Sequence, residues 1–196
     1  MANPSNPVEL AGVDDVIGLL VRQHEQMRVL FTDIAAAVDS VEREVTFFTL
    51  RRFLAVHEAA EAQIIHPRAR IELDGGSAMV DARLREEHDA GVQLTQLESL
   101  DHGSAEFEEK LILLSGFLIA HNAREEEEEF PRLRDELEPR QLQAMRRAGE
   151  LAATPAPAPA RPTMASVGAN LFPGPFADML ERARDLISEP SEPSEG

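Results

Sequence analysis

The 196-residue sequence contains no cysteine, no tryptophan and no tyrosine. Without cysteine the chain cannot form disulfide bonds, a cysteine-ligated zinc finger or a thiolate-held iron–sulfur cluster. Without tyrosine it can supply neither a tyrosyl radical nor a tyrosinate ligand to a metal. It also lacks an apolar run of the ~20 residues that a membrane-spanning helix needs, and its first residues lack the apolar stretch of a signal peptide. These absences predict a soluble cytoplasmic protein that does not enter membranes.

Positive charge is also scarce, with 19 Lys and Arg residues against 36 Asp and Glu residues and a formal net charge of −17. An acidic field repels the phosphates of nucleic acids and of anionic membrane surfaces, so we expect neither as a partner. Hydrophobic residues make up 43% of the chain, which is enough to bury a core.

Helical periodicity dominates the remaining pattern, because apolar residues recur at alternating steps of three and four. The positions predicted to face the core extend to Val38 and Val41 in the first segment, and to Ile64 and Arg68 in the second. Breaks at residues 74–77 and 101–104 separate the later patterns. Long helices with short connections predict an all-α fold, an antiparallel up-down four-helix bundle. The predicted helices cover residues 13–41, 47–68, about 79–100 and about 105–137.

The helical region is internally repeated at an offset of 64 residues, and the register holds without a gap. Each half is therefore predicted to be a helix pair of the same design, and two such pairs can pack about a pseudo-two-fold axis. The matched residues are His24 with His88, His57 with His121, Glu61 with Glu125, and Pro67 with Pro131.

Two domains are predicted, residues 8–153 for the bundle with a further helix after Pro139, and residues 154–196 for a tail. The tail begins with a Pro/Ala-rich linker over residues 154–162 and ends in a frayed acidic segment from Glu189. A short amphipathic helix lies between them. It either packs back on its own bundle, which we favour, or docks to a protein partner. Its apolar residues are Phe176, Met179, Leu180 and Ile187.

Two H-x-x-x-E motifs carry the chemistry of the sequence, because a step of four places histidine and glutamate on the same helical face. One such motif is a common accident, but each here follows an upstream histidine in the same repeat register. All six residues occupy positions that the pattern otherwise fills with apolar side chains. Burying them without partners would cost several kcal/mol per charge, and a bound metal removes that cost. The predicted metal ligands are His24, His57, Glu61, His88, His121 and Glu125.

Mixed imidazole and carboxylate ligands suit iron, manganese or zinc. Six ligands can hold one octahedral ion, but two ions bridged by the glutamates agree better with the two-fold repeat. Ferritin-like di-iron sites use Glu-x-x-His instead, and that motif does not occur in the needed places.

With these motifs the chain resembles the hemerythrin/HHE cation-binding family over about residues 13–137. The resemblance is carried by His24, His57-Glu-Ala-Ala-Glu61, His88 and His121-Asn-Ala-Arg-Glu125. It implies a centre of two iron ions with an oxo or hydroxo bridge, in which the two glutamates bridge and the four histidines are terminal ligands. Manganese and zinc stay open as alternatives.

One departure from the family bears on function. Oxygen-carrying hemerythrins have a further histidine one turn before the third-helix ligand, where this chain has Leu84, and its repeat mate is Leu20. Both irons then keep an open position, which disfavours reversible oxygen carriage. We expect a protein that binds or reacts with dioxygen, hydrogen peroxide or nitric oxide in oxidative-stress handling, through catalase-like peroxide disproportionation. A sensor or an iron/oxygen reservoir without turnover is the alternative, and no catalytic residue is assigned.

Gly91, Met27 and Glu87 are assigned more weakly to a pocket or to the surroundings of the metal. Gly91, the repeat mate of Met27, opens space beside His88, although close helix packing explains a glycine there equally well. Glu87 is next to His88 in the sequence and can accept a hydrogen bond from a metal-binding histidine. His66 is interpreted as structural or exposed.

Overall fold

The computed structural model describes residues 13–153 and 176–188, and these ranges contain helices and no strand. The predictions for the Pro/Ala linker and for the acidic end from Glu189 lie outside the described residues, as does the side chain of Ile187. Two π-helical turns, π1 and π2, interrupt what are otherwise continuous helices. The elements are α1 Val16–Ala36, α2 Ser40–Ala60, π1 Glu61–Ile65, α3 His66–Glu72, α4 Gly76–Glu98, α5 Ala105–Arg124, π2 Glu125–Glu129, α6 Phe130–Glu136, α7 Pro139–Ala153 and α8 Phe176–Ser188.

Local capping explains where the helices begin. The carboxylate of Asp15 accepts a hydrogen bond from the backbone N–H of Gly18 at 2.9 Å, and Asp39 and Ser104 cap α2 and α5 in the same way. α1 ends at Ala36, because Ala37 leaves the helical conformation with ψ of 133°. The prediction that Val38 and Val41 are core residues is therefore wrong, and they are 92% and 54% exposed.

Each H-x-x-x-E motif ends at a π turn, since Glu61 opens π1 and Glu125 opens π2. A π turn holds one more residue than an α turn, so it rotates the following helix relative to the preceding one. In the first half this shift buries Ile65 and Ala69. The neighbouring positions predicted as core, Ile64 and Arg68, are half-buried and exposed instead.

The bundle contains two apolar cores, one at each end. One is built around Phe47, Phe107 and Leu94, and the other around Ile17 and Phe130. The predicted all-helical bundle is thereby confirmed. No helix of the described ranges combines the length and the apolarity that crossing a bilayer requires.

The C-terminal helix α8 packs on its own bundle, against α2, α4 and α7. Phe176, Met179 and Ala183 are buried in the first core. Two polar contacts hold the helix in place. The backbone N–H of Phe176 donates to Glu98 at 2.7 Å, and the Gln63 side chain donates to the carbonyl of Arg184 at 2.9 Å.

This packing predicts that α8 contributes to the stability of the bundle. Phe176→Ala should lower the free energy of unfolding by about 3–5 kcal/mol, because it removes a buried aromatic ring that is 3% exposed. Glu181→Ala on the exposed face of the same helix should change it by less than about 0.5 kcal/mol. Chemical denaturation of both variants measures the difference. Equal stabilities would mean that α8 does not pack on the bundle in solution.

Candidate metal centre

A layer of buried polar side chains separates the two apolar cores. Six glutamates are buried in this layer, and Arg83 is the one arginine that is buried among the residues that the structure describes. Burying an ionised carboxylate costs several kcal/mol unless positive charge compensates it. Burial raises the pKa of Glu58 and of Glu129, which favours their uncharged forms. The ionised carboxylates that are left need further cations, which protonated histidines or metal ions can supply. Its glutamates and histidines are Glu58, Glu61, Glu87, Glu125, Glu126, Glu129, His24, His57, His66 and His121.

Three of the histidines are anchored through Nδ1. His24 Nδ1 lies 2.7 Å from Glu126 Oε1, His57 Nδ1 lies 2.8 Å from Gln23 Oε1, and His121 Nδ1 lies 2.9 Å from Glu86 Oε2. A side-chain oxygen at this distance accepts the Nδ1 proton, so that the neutral imidazole would have Nε2 free to bind a metal. Hydrogen bonds of this kind orient metal-bound histidines in many proteins.

The free Nε2 atoms converge on two carboxylates. His57 Nε2 lies 3.1 Å from Glu61 Oε1, and His121 Nε2 lies 3.1 Å from Glu125 Oε1. His24 Nε2 lies between the two glutamates, 3.4 Å from Glu125 Oε2 and 3.9 Å from Glu61 Oε1. The two oxygens of Glu125 therefore face different histidines, which is the arrangement that a bridging carboxylate requires.

The geometry of these residues fits a metal ion better than a hydrogen-bond network. His24 Nε2, His57 Nε2, both oxygens of Glu61 and Glu125 Oε2 are buried without a hydrogen-bond partner. Native proteins rarely leave so many buried polar atoms unsatisfied in one place. Two ligand atoms about 2.1 Å from one metal, at angles of about 90–109°, lie roughly 3.0–3.4 Å apart. The Nε2–oxygen distances of 3.1 and 3.4 Å match that separation.

The charges of the site are consistent with this geometry. Burial alone would raise the pKa of Glu61, but His57 and His24 outweigh it and hold this pKa well below its ordinary value. Burial likewise opposes ionisation of Glu125, but His121 and His24 lower its pKa to about 2. Burial would lower the pKa of His121, but Glu125 and its other acidic neighbours raise it to about 10. The pKa of His24 is raised well above its ordinary value in the same way.

The side chains form two groups that can hold a metal ion. One consists of His24, His57, Glu61 and Glu125, and the other of Glu61, Glu87 and His121. Glu61 belongs to both. Five of the six predicted ligands are thus brought together, and the binding of metal itself stays a prediction.

His88, the sixth predicted ligand, is not brought to the site. Its side chain is exposed, and the adjacent Glu87 is buried in its place. The expectation that His88 faces the interior rested on the offset of 64 residues, which does hold for His57 and His121. The buried faces of α1 and α4 correspond at an offset of 63 instead, and one residue turns a side chain by about 100° around a helix. The corresponding buried residues are Ile17 with Val80, His24 with Glu87, Met27 with Ala90, and Phe31 with Leu94.

His66 is buried beside Glu87, and the expectation of a structural or exposed residue misses this contact. Its Nε2 lies 2.6 Å from Glu87 Oε1, and its Nδ1 lies 3.7 Å from Glu129 Oε1. Burial alone would lower the pKa of His66, but the carboxylates of Glu129 and Glu87 outweigh it and raise this pKa to about 10. His66 is thus a cation that orients Glu87.

A cavity of about 500 Å³ between α4 and α8 reaches this side of the polar layer. Glu58 and Glu87 line it together with Gly91 and Phe176. Glu58 Oε1 has no hydrogen-bond partner, and burial, with Glu87 and Glu61 nearby, raises the pKa of Glu58 well above its ordinary value. Gly91 therefore lines a pocket as expected, whereas Met27 is buried in the first apolar core.

Sequence reasoning missed the residues that surround the predicted ligands, namely Gln23, Glu58, Glu86, Glu126 and Glu129. Gln23, Glu58 and Glu126 each stand next to a predicted ligand in the sequence. Their position next to a ligand in the sequence is the one available signal. It is not sufficient, because adjacent residues in a helix point about 100° apart and the sequence does not say which of the two neighbours of a ligand faces the interior.

The comparisons with known proteins agree with this site. The sequence model of the hemerythrin HHE cation binding domain matches residues 15–133, which span both H-x-x-x-E motifs. No curated protein and no solved structure matches the chain. Since the family match covers more than half of the chain and the geometry offers His/Glu groups for a cation, this chain belongs to the hemerythrin HHE cation-binding family.

Proposed function

We propose that this chain holds two iron ions in the polar layer and disproportionates hydrogen peroxide to water and dioxygen. The observation that carries the proposal is a pair of His–Glu contacts at 3.1 Å, His57 with Glu61 and His121 with Glu125. Each of these two glutamates also faces His24, so the two contacts form one cluster. Iron suits mixed imidazole and carboxylate ligands. Two ions match the two groups of side chains.

When bound, two iron ions supply the two-electron redox capacity that disproportionation needs, since one peroxide is reduced to water while another is oxidised to dioxygen. The protein supplies the rest. His24, His57 and His121 would offer Nε2 atoms to the metal ions, and Glu61 and Glu125 would offer oxygens between them. The apolar cores on both sides exclude bulk water from the layer.

The cavity between α4 and α8 offers a route by which peroxide reaches the layer. Glu58 lines this cavity, is buried, and has an Oε1 atom without a hydrogen-bond partner. Its carboxyl group is therefore placed to form a hydrogen bond with peroxide that enters the cavity.

The decisive experiment is to measure the metal content and optical spectrum of protein purified aerobically, before and after addition of hydrogen peroxide. Two irons per chain with evolution of oxygen supports the proposal. Two irons without oxygen evolution leaves a sensor or a reservoir. One zinc, or a chain that binds no metal, contradicts the di-iron assignment.

The ligand histidines are tested by His57→Ala and His121→Ala. Each should reduce the bound iron to about half or less, because the carboxylate one turn away loses the imidazole that shares its metal. Glu127→Ala, an exposed position in π2, should load like the wild type. Full loading of both histidine variants would refute the assignment.

Metal binding should release protons. In the metal-free protein the raised pKa values of His24 and His121 keep both imidazoles protonated at pH 7, and a metal binds only the neutral form. Zinc, a redox-inert probe, should therefore displace about two protons from these histidines, and its apparent affinity should rise as the pH is raised from ~6 to ~9. Titration in weakly buffered solution with a pH indicator measures both. An affinity that is independent of pH would contradict this prediction.

The cavity is tested by Gly91→Leu. A Cβ atom at Gly91 would lie 3.7 Å from Phe176 Cε1, so a larger side chain must extend into the cavity. The variant should bind iron like the wild type but react more slowly with azide or peroxide. Gly116→Leu, at an exposed helical glycine with open space around it, controls for the loss of a glycine. Equal rates in both variants would rule out the cavity as the access route.

A further inference from the structure

We propose that Glu87, and not His88, completes the second metal position, so that the two positions of the centre differ chemically. The inference rests on the proposed function, because it presupposes that two metal ions bind. It departs from the symmetric set of four histidines and two glutamates that the repeat in the sequence predicts.

The side chains of α4 place Glu87, and not His88, on the buried side of the helix. Glu87 lies on the buried face with Arg83, Ala90 and Leu94, whereas His88 is exposed. One residue turns a side chain by about 100°, so placing His88 where Glu87 lies would require rotating α4 and exposing Ala90 and Leu94, both 0% exposed. His88 lines the cavity between α4 and α8 but belongs to neither group of side chains that can hold a metal ion. Packing of the apolar face therefore selects Glu87.

Glu87 also lies close to other candidate ligands. Carboxylate and imidazole atoms of Glu61, Glu87 and His121 lie within 4.8 Å of one another. His121 Nε2 is also 3.1 Å from Glu125 Oε1, which adds a fourth side chain to this group. All four residues are buried.

His66 holds the Glu87 carboxylate in place. His66 Nε2 donates to Glu87 Oε1 at 2.6 Å, and the other imidazole nitrogen of His66 faces Glu129 at 3.7 Å. His66 therefore acts on Glu87 and is a positioning residue. Hydrogen bonds from a neighbouring side chain commonly hold a ligating carboxylate in place.

The two positions consequently offer different donors. The first has two imidazoles, from His24 and His57, with Glu61 and Glu125. The second has one imidazole, from His121, with Glu61, Glu87 and Glu125. Carboxylate-rich sites suit harder cations such as manganese, and imidazole-rich sites suit iron, copper or zinc. The second position should therefore be the weaker site for zinc and the better one for manganese.

The test compares Glu87→Gln with His88→Ala. Glutamine preserves the size of the side chain and an oxygen that can accept from His66, but it removes the negative charge. After loading with ferrous iron under anaerobic conditions and desalting, the wild type and His88→Ala should each retain two irons, and Glu87→Gln should retain one. Glu87→Ala should behave like Glu87→Gln, and circular dichroism checks that every variant is helical.

Mössbauer spectra of the wild type loaded with ⁵⁷Fe provide a readout that does not depend on activity. Unequal positions should give two resolved signals of equal area, and Glu87→Gln should lose one of them. A single signal in the wild type would overturn the inference.

The outcomes distinguish this inference from the proposed function. If the wild type retains two irons, but His88→Ala loses one or Glu87→Gln keeps both, the assignment of Glu87 is overturned and the di-iron proposal stands. If the wild type itself retains fewer than two irons, the di-iron proposal fails and the inference falls with it.

Discussion

Compensation of the buried carboxylates is the constraint on which the rest of this structure depends. Six glutamates are buried in one layer between two apolar cores. Ionised carboxylates are tolerated there only if cations lie among them. Without metal, that charge comes from protonated histidines, as the raised pKa values of His24, His66 and His121 show. A metal ion would replace those protons, so occupancy of the site and stability of the fold are coupled.

The arrangement of the histidines shows that the layer is organised for coordination. Protonated histidines that served only to balance charge could use either ring nitrogen. Here His24, His57 and His121 all use Nδ1 for an anchoring side chain and turn Nε2 towards Glu61 and Glu125. His66 contacts Glu87 through Nε2 instead. The first three are therefore candidates for ligands, and His66 is a candidate for a positioning residue.

The fold also brings a distant part of the chain to the site. Helix α8 comes after a long stretch that follows α7, yet Phe176 contributes to both the first core and the wall of the cavity beside Glu58 and Glu87. The residues that line the cavity beside the polar layer therefore include residues outside the four long helices. This offers a physical reason why the tail contributes to both stability and access in the proposed function.

The sequence by itself determined the helical fold, the start of α5 after Ser104, and the candidate ligand types at His24, His57, Glu61, His121 and Glu125. These follow from local pattern, because capping and the spacing of a helical face depend on residues within a few positions. The sequence did not show that α2 begins after Asp39, because the predicted first helix ran on to residue 41. Only the tertiary structure decided which of two adjacent residues faces the interior of the bundle at the π turns and on α4. The π turns moved Ile65 and Ala69 into the core, and the packing of α4 buried Glu87 and exposed His88. A shift of one residue rotates a side chain by about 100°, and the contacts that select the rotation come from helices far away in the sequence.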